Sequence, residues 1–399
     1  MLTHTVMAVL GAALATGLLL AFYNPGSGGS GISLPGSGAV PAPAPAAPLA
    51  GGEQAIVTKV EPGLVIIDTA LQYNSEAAAG TGIVINADGL VLTNNHVIDD
   101  STKITATVAA TGRTYPATVV GYDKTGDIAL IQLQNASGLT TVPIGNSSSV
   151  KIGNAVVALG NAEGRGSITA TAGEVTGLNQ TITASEEGSS SASETLNGMI
   201  QTDADIVPGD SGGPLASSAG VIGMDTAGND VSDQQQAPAG FAIPINTALS
   251  VARQIAGGHA SSTITIGYPP FVGIFIGSGS SSSPQAQAQQ EEQQQNADGS
   301  GSSPACYTSN ADLTVPSVIA PVSSGTLIVG TICGSPAASA GMTAGAVITA
   351  VNGQAVGSPD DLTGILSRFH PGDTISVTWV SPSGQRSTSS LHLTAGPPQ

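Results

Sequence analysis

The chain has 399 residues, 40% of them hydrophobic, enough to bury real cores and to hold more than one domain. Aromatic residues are only 3% and charged residues 9%, with 53 glycines, a composition that favours turn-rich β structure over helical bundles. Its 27 acidic against 9 basic residues leave a net charge of −18, which excludes nucleic acid and anionic membrane surfaces as partners and serves solubility.

Residues 1–25 read as a targeting segment. Thr5 to Tyr23 is uncharged and rich in Leu, Ala and Val, which suits a secretory signal peptide or a membrane anchor. No Lys or Arg precedes it, and no small-x-small cleavage site follows Tyr23, so both readings stay open. Either one places the bulk of the chain outside the cytoplasm, in the cell envelope or secreted, with the membrane touched only through this segment. Residues 26–52 follow as a linker rich in Gly, Pro and Ala, too poor in large apolar groups to bury a core.

Folded sequence is expected from Glu53. Leu64-Val65-Ile66-Ile67 reads as a strand, and Gly82–Ile85 and Leu90–Thr93 read as a β-hairpin across Asp88-Gly89. That hairpin delivers His96, one of five histidines, into a polar loop. Asp127 stands directly before the apolar run Ile128-Ala129-Leu130-Ile131, where a carboxylate can be buried against a histidine ring. Its rivals fit less well: Asp99 and Asp100 are too close to His96 in sequence, and Asp123 precedes a turn. Further on, Gly209-Asp210-Ser211-Gly212-Gly213-Pro214 surrounds a serine with glycine. Such a backbone can bend the N–H groups of Gly209 and Ser211 toward one point, where an oxyanion forms when a hydroxyl attacks a carbonyl carbon. The hydroxyl needs a base, and the base needs an orienting group. His96 and Asp127 supply both.

Thr93-Asn94-Asn95-His96-Val97, Asp127-Ile128-Ala129-Leu130 and Gln201-Thr202-Asp203-Ala204 ahead of the glycine-flanked serine together resemble the HtrA (DegP-like) serine proteases. The resemblance implies a mainly β fold, a chymotrypsin-like double β-barrel over 53–260 followed by an α+β PDZ domain over 266–397. It implies Ser211 as nucleophile, His96 as general base and then acid, Asp127 as orienter, and the Gly209 and Ser211 amides as oxyanion donors. Cleavage of unfolded or tagged proteins would follow, with no cofactor and no metal. Proteins of this family are often homo-trimers, but no trimer contact is legible here.

Two departures concern specificity and activation. Most HtrA-like sequences carry Asn where this chain has Asp210, and in digestive relatives an Asp there pairs with a freshly cleaved N-terminus; no activation site is evident. Asp205 occupies the position that floors the primary pocket of trypsin-like enzymes, where it would select Lys or Arg. The family instead prefers small aliphatic side chains, which Ile206 and Val207 could enforce by narrowing the pocket. We take Asp205, Ile206 and Val207 as substrate-binding candidates and expect the aliphatic preference. Asn179 to Asn197 and Thr226 to Ala239 are polar loops, the second flanking the pocket, and Pro244 to Ala256 reads as a helix.

Phe271-Val272-Gly273-Ile274 resembles the carboxylate-binding loop of PDZ domains, which assigns Val272, Gly273 and Ile274 to the C-termini of bound peptides. Ser358-Pro359-Asp360-Asp361 is a capped helix start, and Leu362, Ile365, Leu366 and Phe369 make one apolar stripe. Leu362 and Ile365 are the members expected to line the peptide groove. Residues 277–304 interrupt this domain with Ser, Gln and Gly and are expected to be disordered. Cys306 and Cys333, the only two cysteines, are expected to form a disulfide in an exported chain. Two function classes result: an exported serine endopeptidase regulated by its PDZ domain, or a chaperone or peptide-binding protein of the same fold. The complete triad favours the first, since a binder needs none of it.

Overall fold

The computed structural model describes residues 49–74, 76–184, 194–228, 239–277, 281–294, 305–310 and 313–398. The expected signal or anchor segment and the middle of both polar loops lie outside the described residues. Among those described, no helix is long and apolar enough to cross a membrane.

Helix α1 (Gly51–Val60) opens the folded part slightly ahead of the expected Glu53. The Glu53 carboxylate accepts from the Ala50 amide at 2.6 Å, and Ile56, Val57 and Val60 turn inward. Strands β1 (Leu64–Leu71) and β2 (Glu76–Asn86) pair antiparallel, Leu64 opposite Ile83. Strand β3 (Leu90–Thr93) continues the hairpin predicted at Asp88-Gly89. Helix α2 (Asn95–Ile98) follows at once, so His96 sits on a helical turn and not in an open loop. Strands β4 (Lys103–Val108), β5 (Thr114–Asp123) and β6 (Ile128–Leu133) complete the sheet. Its order is β5-β4-β1-β2-β3-β6, and β6 pairs back onto β5 to close the first barrel.

Strands β7 (Ala155–Gly160), β8 (Thr169–Ala184), β9 (Glu194–Thr202), β10 (Pro214–Ser217), β11 (Gly220–Gly228) and β12 (Gly240–Pro244) form a second closed barrel, ordered β10-β11-β12-β9-β8-β7. Helix α3 (Ile245–Ala256) then returns to the first barrel. Val65, Ile67, Val84, Val91 and Ile131 fill the inside of the first barrel, and Val156, Ala158, Ile200, Leu215 and Ile222 that of the second. Leu64, Ile83, Leu92 and Leu130 share another cluster with Leu159, Met224 and Ile243 of the second barrel. Strands that bury both faces read as unbroken apolar runs, which explains Leu64 to Ile67.

After β13 (Ile264–Ile266), an added edge on β5, the part expected to form a PDZ domain continues with β14 (Pro270–Phe271) and β15 (Ile274–Ile276). Helix α4 (Pro284–Gln294) comes next, inside the stretch expected to be disordered. That expectation is corrected for these residues. Gln287 is fully buried, donating to Ser281 O and Gly325 O and accepting from Leu327 N, all at 2.8 Å. Ala288 joins Leu327, Val347 and Val380 in a small cluster. One glutamine that satisfies three backbone groups, beside one alanine, seats a helix that its composition alone would not.

The domain continues through β16 (Thr326–Thr331), α5 (Pro336–Ser339), β17 (Val347–Val351), β18 (Gln354–Ala355), α6 (Pro359–Leu366), β19 (Thr374–Val380), β20 (Arg386–His392) and β21 (Thr394–Ala395). Its sheet runs β15-β16-β17-β19-β20 over a core that includes Ile328, Val351, Ile375 and Trp379. Ser358 caps α6, its hydroxyl accepting from Asp361 N at 3.2 Å, while Asp361 accepts from Gly357 N at 3.0 Å. Cys306 is bonded to Cys333, with Cα atoms 4.9 Å apart. Beside that bond, Tyr307 N donates to Thr331 O and Cys333 N to Tyr307 O, both at 2.8 Å. The same segment reaches the first barrel: Asn310 N donates to Tyr73 O at 2.6 Å, and Asn310 Nδ2 to Asn74 Oδ1 at 3.2 Å. The Tyr73 and Phe271 rings stack with centroids 5.7 Å apart.

Candidate active site

Three elements bring the expected triad residues together. Helix α2 carries His96, β6 begins just after Asp127, and Ser211 lies in the turn before β10. Asn94 fixes the first two, donating from Nδ2 to Asp127 O at 2.9 Å. The Asp127 carboxylate is buried. It lies 3.0 Å from His96 Nδ1 through each oxygen and accepts the His96 amide at 3.1 Å. Thr226 of β11, also buried, donates its hydroxyl to Asp127 Oδ2. The Ser211 hydroxyl donates in turn to Thr226 O at 3.3 Å. Thr226 therefore touches both ends of the constellation. Sequence reading placed it only at the start of a pocket loop; the signal it missed is that β11 runs behind the turn that bears Ser211.

The turn itself is held one peptide at a time. Pro208 O accepts from Glu163 N at 2.7 Å, Gly209 O from the Thr81 hydroxyl at 2.8 Å, Asp210 O from Gly213 N at 2.8 Å and Ser211 O from Thr81 N at 2.9 Å. A trans peptide points its N–H opposite its C=O. Fixing the carbonyls of Pro208 and Asp210 thus fixes the amides of Gly209 and Ser211, the expected oxyanion donors. Neither amide has a hydrogen-bond acceptor among the described residues. Gly209 adopts φ 95°, and a Cβ there would stand 2.2 Å from Asn161 O, so no other residue fits.

Beneath the turn lie two carboxyl groups. Asp210 Oδ2 accepts from Val207 N at 3.1 Å, and Oδ1 has no partner. Burial pushes the Asp210 carboxyl up to about 6, the Val207 amide opposing and the charges of Asp205 and Glu163 adding. Asp225 is fully buried with both oxygens unpartnered, and burial, then the Asp210 charge, raise it well above the carboxylate range. Ion pairs among the described residues are His96–Asp127, Arg165–Glu163 and His370–Asp373, so Asp210 faces no cation there.

The three substrate-binding candidates separate. Asp205 is exposed, whereas Ile206 is buried in the second barrel, its methyl end against Gly240 of β12. Val207 is half-buried. Of the expected peptide-binding residues, Val272 is buried, Gly273 has φ 79° with its Cβ position 2.1 Å from Ser335 Cβ, and Ile274 begins β15, the end strand of its sheet. Leu362 and Ile365 are 2% and 4% exposed, within the core under α6.

Residues 80–224 match the trypsin-like peptidase domain and residues 328–380 the PDZ domain. The chain is 32% identical to the serine protease PepD of Mycobacterium tuberculosis, over 97% of this chain and 75% of that protein. It is 42% identical to the periplasmic pH-dependent serine endoprotease DegQ of Escherichia coli, over 44% of this chain and 37% of that one. For the periplasmic serine endoprotease DegP of the same organism the figures are 39%, 46% and 37%. Among solved structures, the HtrA-type protease AlgW with tripeptide aligns at a TM-score of 0.45 and 25% identity, over 87% of this chain and 98% of that one.

Proposed function

Because the chain belongs to the HtrA-type serine proteases, we propose that it cleaves unfolded or tagged proteins with the triad Ser211, His96 and Asp127. The observation that carries this is the joint hold on Asp127 by His96 Nδ1 and Thr226, with Thr226 O reached by the Ser211 hydroxyl. The Ser211 hydroxyl, which donates to Thr226 O in this structure, turns to the His96 ring and passes its proton there as Oγ bonds to the scissile carbonyl carbon. The Asp127 carboxylate holds Nδ1–H and stabilises the imidazolium that results. The carbonyl oxygen, now negative, meets the Gly209 and Ser211 amides. His96 then returns the proton to the leaving amine as the C–N bond breaks. Water repeats the sequence on the acyl-enzyme, giving a proton to His96 as its oxygen bonds to the acyl carbon; His96 passes that proton to Ser211 Oγ as the acyl–Oγ bond breaks, releasing the acid product.

Exposed Asp205 and buried Ile206 support small aliphatic residues before the cleaved bond, since a solvated carboxylate leaves the pocket apolar. In the PDZ domain, the outer edge of β15 and the Gly273 turn support capture of peptide C-termini by strand addition. Leu362 and Ile365 then support the groove from the core. The periplasmic relatives support an extracytoplasmic location.

A fluorophosphonate probe tests the nucleophile. Wild type is expected to label at Ser211 and Ser211→Ala not to label, with peptide binding by the PDZ domain preserved. His96→Ala should lower kcat about as far, because the triad acts as a unit. Labelling on another serine would overturn the assignment.

A further inference from the structure

The turn that bears Ser211 belongs to the second barrel, yet half of its carbonyl clamps come from the first. Thr81, on β2, is fully buried. Its amide donates to Ser211 O at 2.9 Å and its hydroxyl to Gly209 O at 2.8 Å. The same hydroxyl accepts from Asn161 N at 2.9 Å, and its carbonyl accepts from the Thr93 hydroxyl at 2.7 Å. Asn161 immediately precedes the short turn whose Glu163 amide holds Pro208 O. One hydroxyl thus joins the nucleophile turn to the segment that orients the Gly209 amide, and both to the barrel that carries His96.

A hydroxyl has one proton to give and lone pairs to receive with, and here both functions are used by backbone. Without it, Gly209 O and Asn161 N would each lose a partner in a buried place. Buried backbone groups do not stay unpaired; the peptides rotate until they find one. Asn161 N leads into the segment whose Glu163 amide holds Pro208 O, so its release loosens the Pro208–Gly209 peptide, which carries the Gly209 amide and then rotates away from the oxyanion point. Glycine at 209, free to cross between backbone regions, offers no resistance to that rotation.

We infer that Thr81 is a positioning residue for the reaction, its hydroxyl holding the oxyanion turn in the productive orientation across the junction of the two barrels. The inference rests on the assignment of Ser211 as nucleophile and of the Gly209 and Ser211 amides as oxyanion donors. It concerns transition-state stabilisation and not substrate capture, so it divides kcat from KM. Loss of one oxyanion donor lowers kcat about 100- to 1,000-fold. Loosening one without removing it should lie at or below the bottom of that range.

The experiment compares wild type with Thr81→Val, which keeps the shape and loses the hydroxyl, and Thr81→Ser, which keeps the hydroxyl. Peptide hydrolysis, fluorophosphonate labelling rate and affinity for a peptide boronic acid are measured on the full chain. For Thr81→Val, kcat, labelling rate and boronate affinity should fall about 10- to 100-fold, with KM within about threefold. Thr81→Ser should retain at least about a third of wild-type kcat. If Thr81→Val does not fold, Thr81→Cys carries the test, its weak donor giving an intermediate labelling rate. A wild-type labelling rate in either Thr81→Val or Thr81→Cys would overturn the positioning role. So would a serine variant as impaired as the valine one. Failure of wild type itself to label at Ser211 would overturn the nucleophile assignment and this inference together.

Discussion

Removing the Thr226 hydroxyl would take from the Asp127 carboxylate a donor that does not belong to His96. A hydrogen bond to a charged group is worth about 1.5–3 kcal/mol. Thr226→Val should therefore lower kcat about 10- to 100-fold, with folding intact by circular dichroism; an unchanged kcat would leave Thr226 a spacer. The paired carboxyls set a pH dependence. Asp210 titrates near 6 when folded and at 3.8 when unfolded, so the folded state binds its proton more tightly. Its contribution is fully favourable below about 3.8 and is lost as pH rises through about 6, roughly 3 kcal/mol in all. Asp225 acts in the same direction. Urea titrations from pH 4 to 8 should show stability falling across that window in wild type and a flatter profile in Asp210→Asn. Equal slopes would contradict the burial argument. At this scale the motif residues were legible because His96, Asp127 and Ser211 each sit in a local pattern. Thr81 and Thr226 sit in none; only the approach of one barrel to the other gives a threonine in a strand this work.

The same contrast holds for the elements. The β2–β3 hairpin, α3 and the cap of α6 were readable because turn chemistry, helical spacing and capping are local. Helix α4 was not, since its side chains carry almost no apolar area and its seat depends on distant backbone at Gly325 and Leu327. Exposure of Asp205 was equally hidden: sequence places a carboxylate before Ile206 and cannot say which of them turns inward. The Cys306–Cys333 bond ties the segment after the insertion to the end of β16. Cys306→Ser with Cys333→Ser should lower PDZ stability by about 2–4 kcal/mol, read as a lower denaturation midpoint. Reductant should do the same to wild type and nothing to the double variant; a response in both would assign the effect elsewhere.

For the whole molecule, the docking of the two parts rests on Tyr73, Asn74, Phe271 and Asn310, with Pro398 O accepting from Asp100 N at 2.9 Å. An aromatic pair contributes about 0.5–1.5 kcal/mol beyond its buried area, so this contact is weak enough to open. Tyr73→Ala with Asn310→Ala should enlarge the radius of gyration in small-angle scattering; an unchanged profile would show that other contacts suffice. The barrels carry no tryptophan, and the chain's single one, Trp379, is 5% exposed in the PDZ core. Indole fluorescence excited at its red edge is therefore a colour tag that nature has put on one half of the protein. Emission follows the melting of the PDZ domain alone, while turnover follows the barrels. A single denaturant series, read in both ways, tells whether the two halves come apart together or in turn.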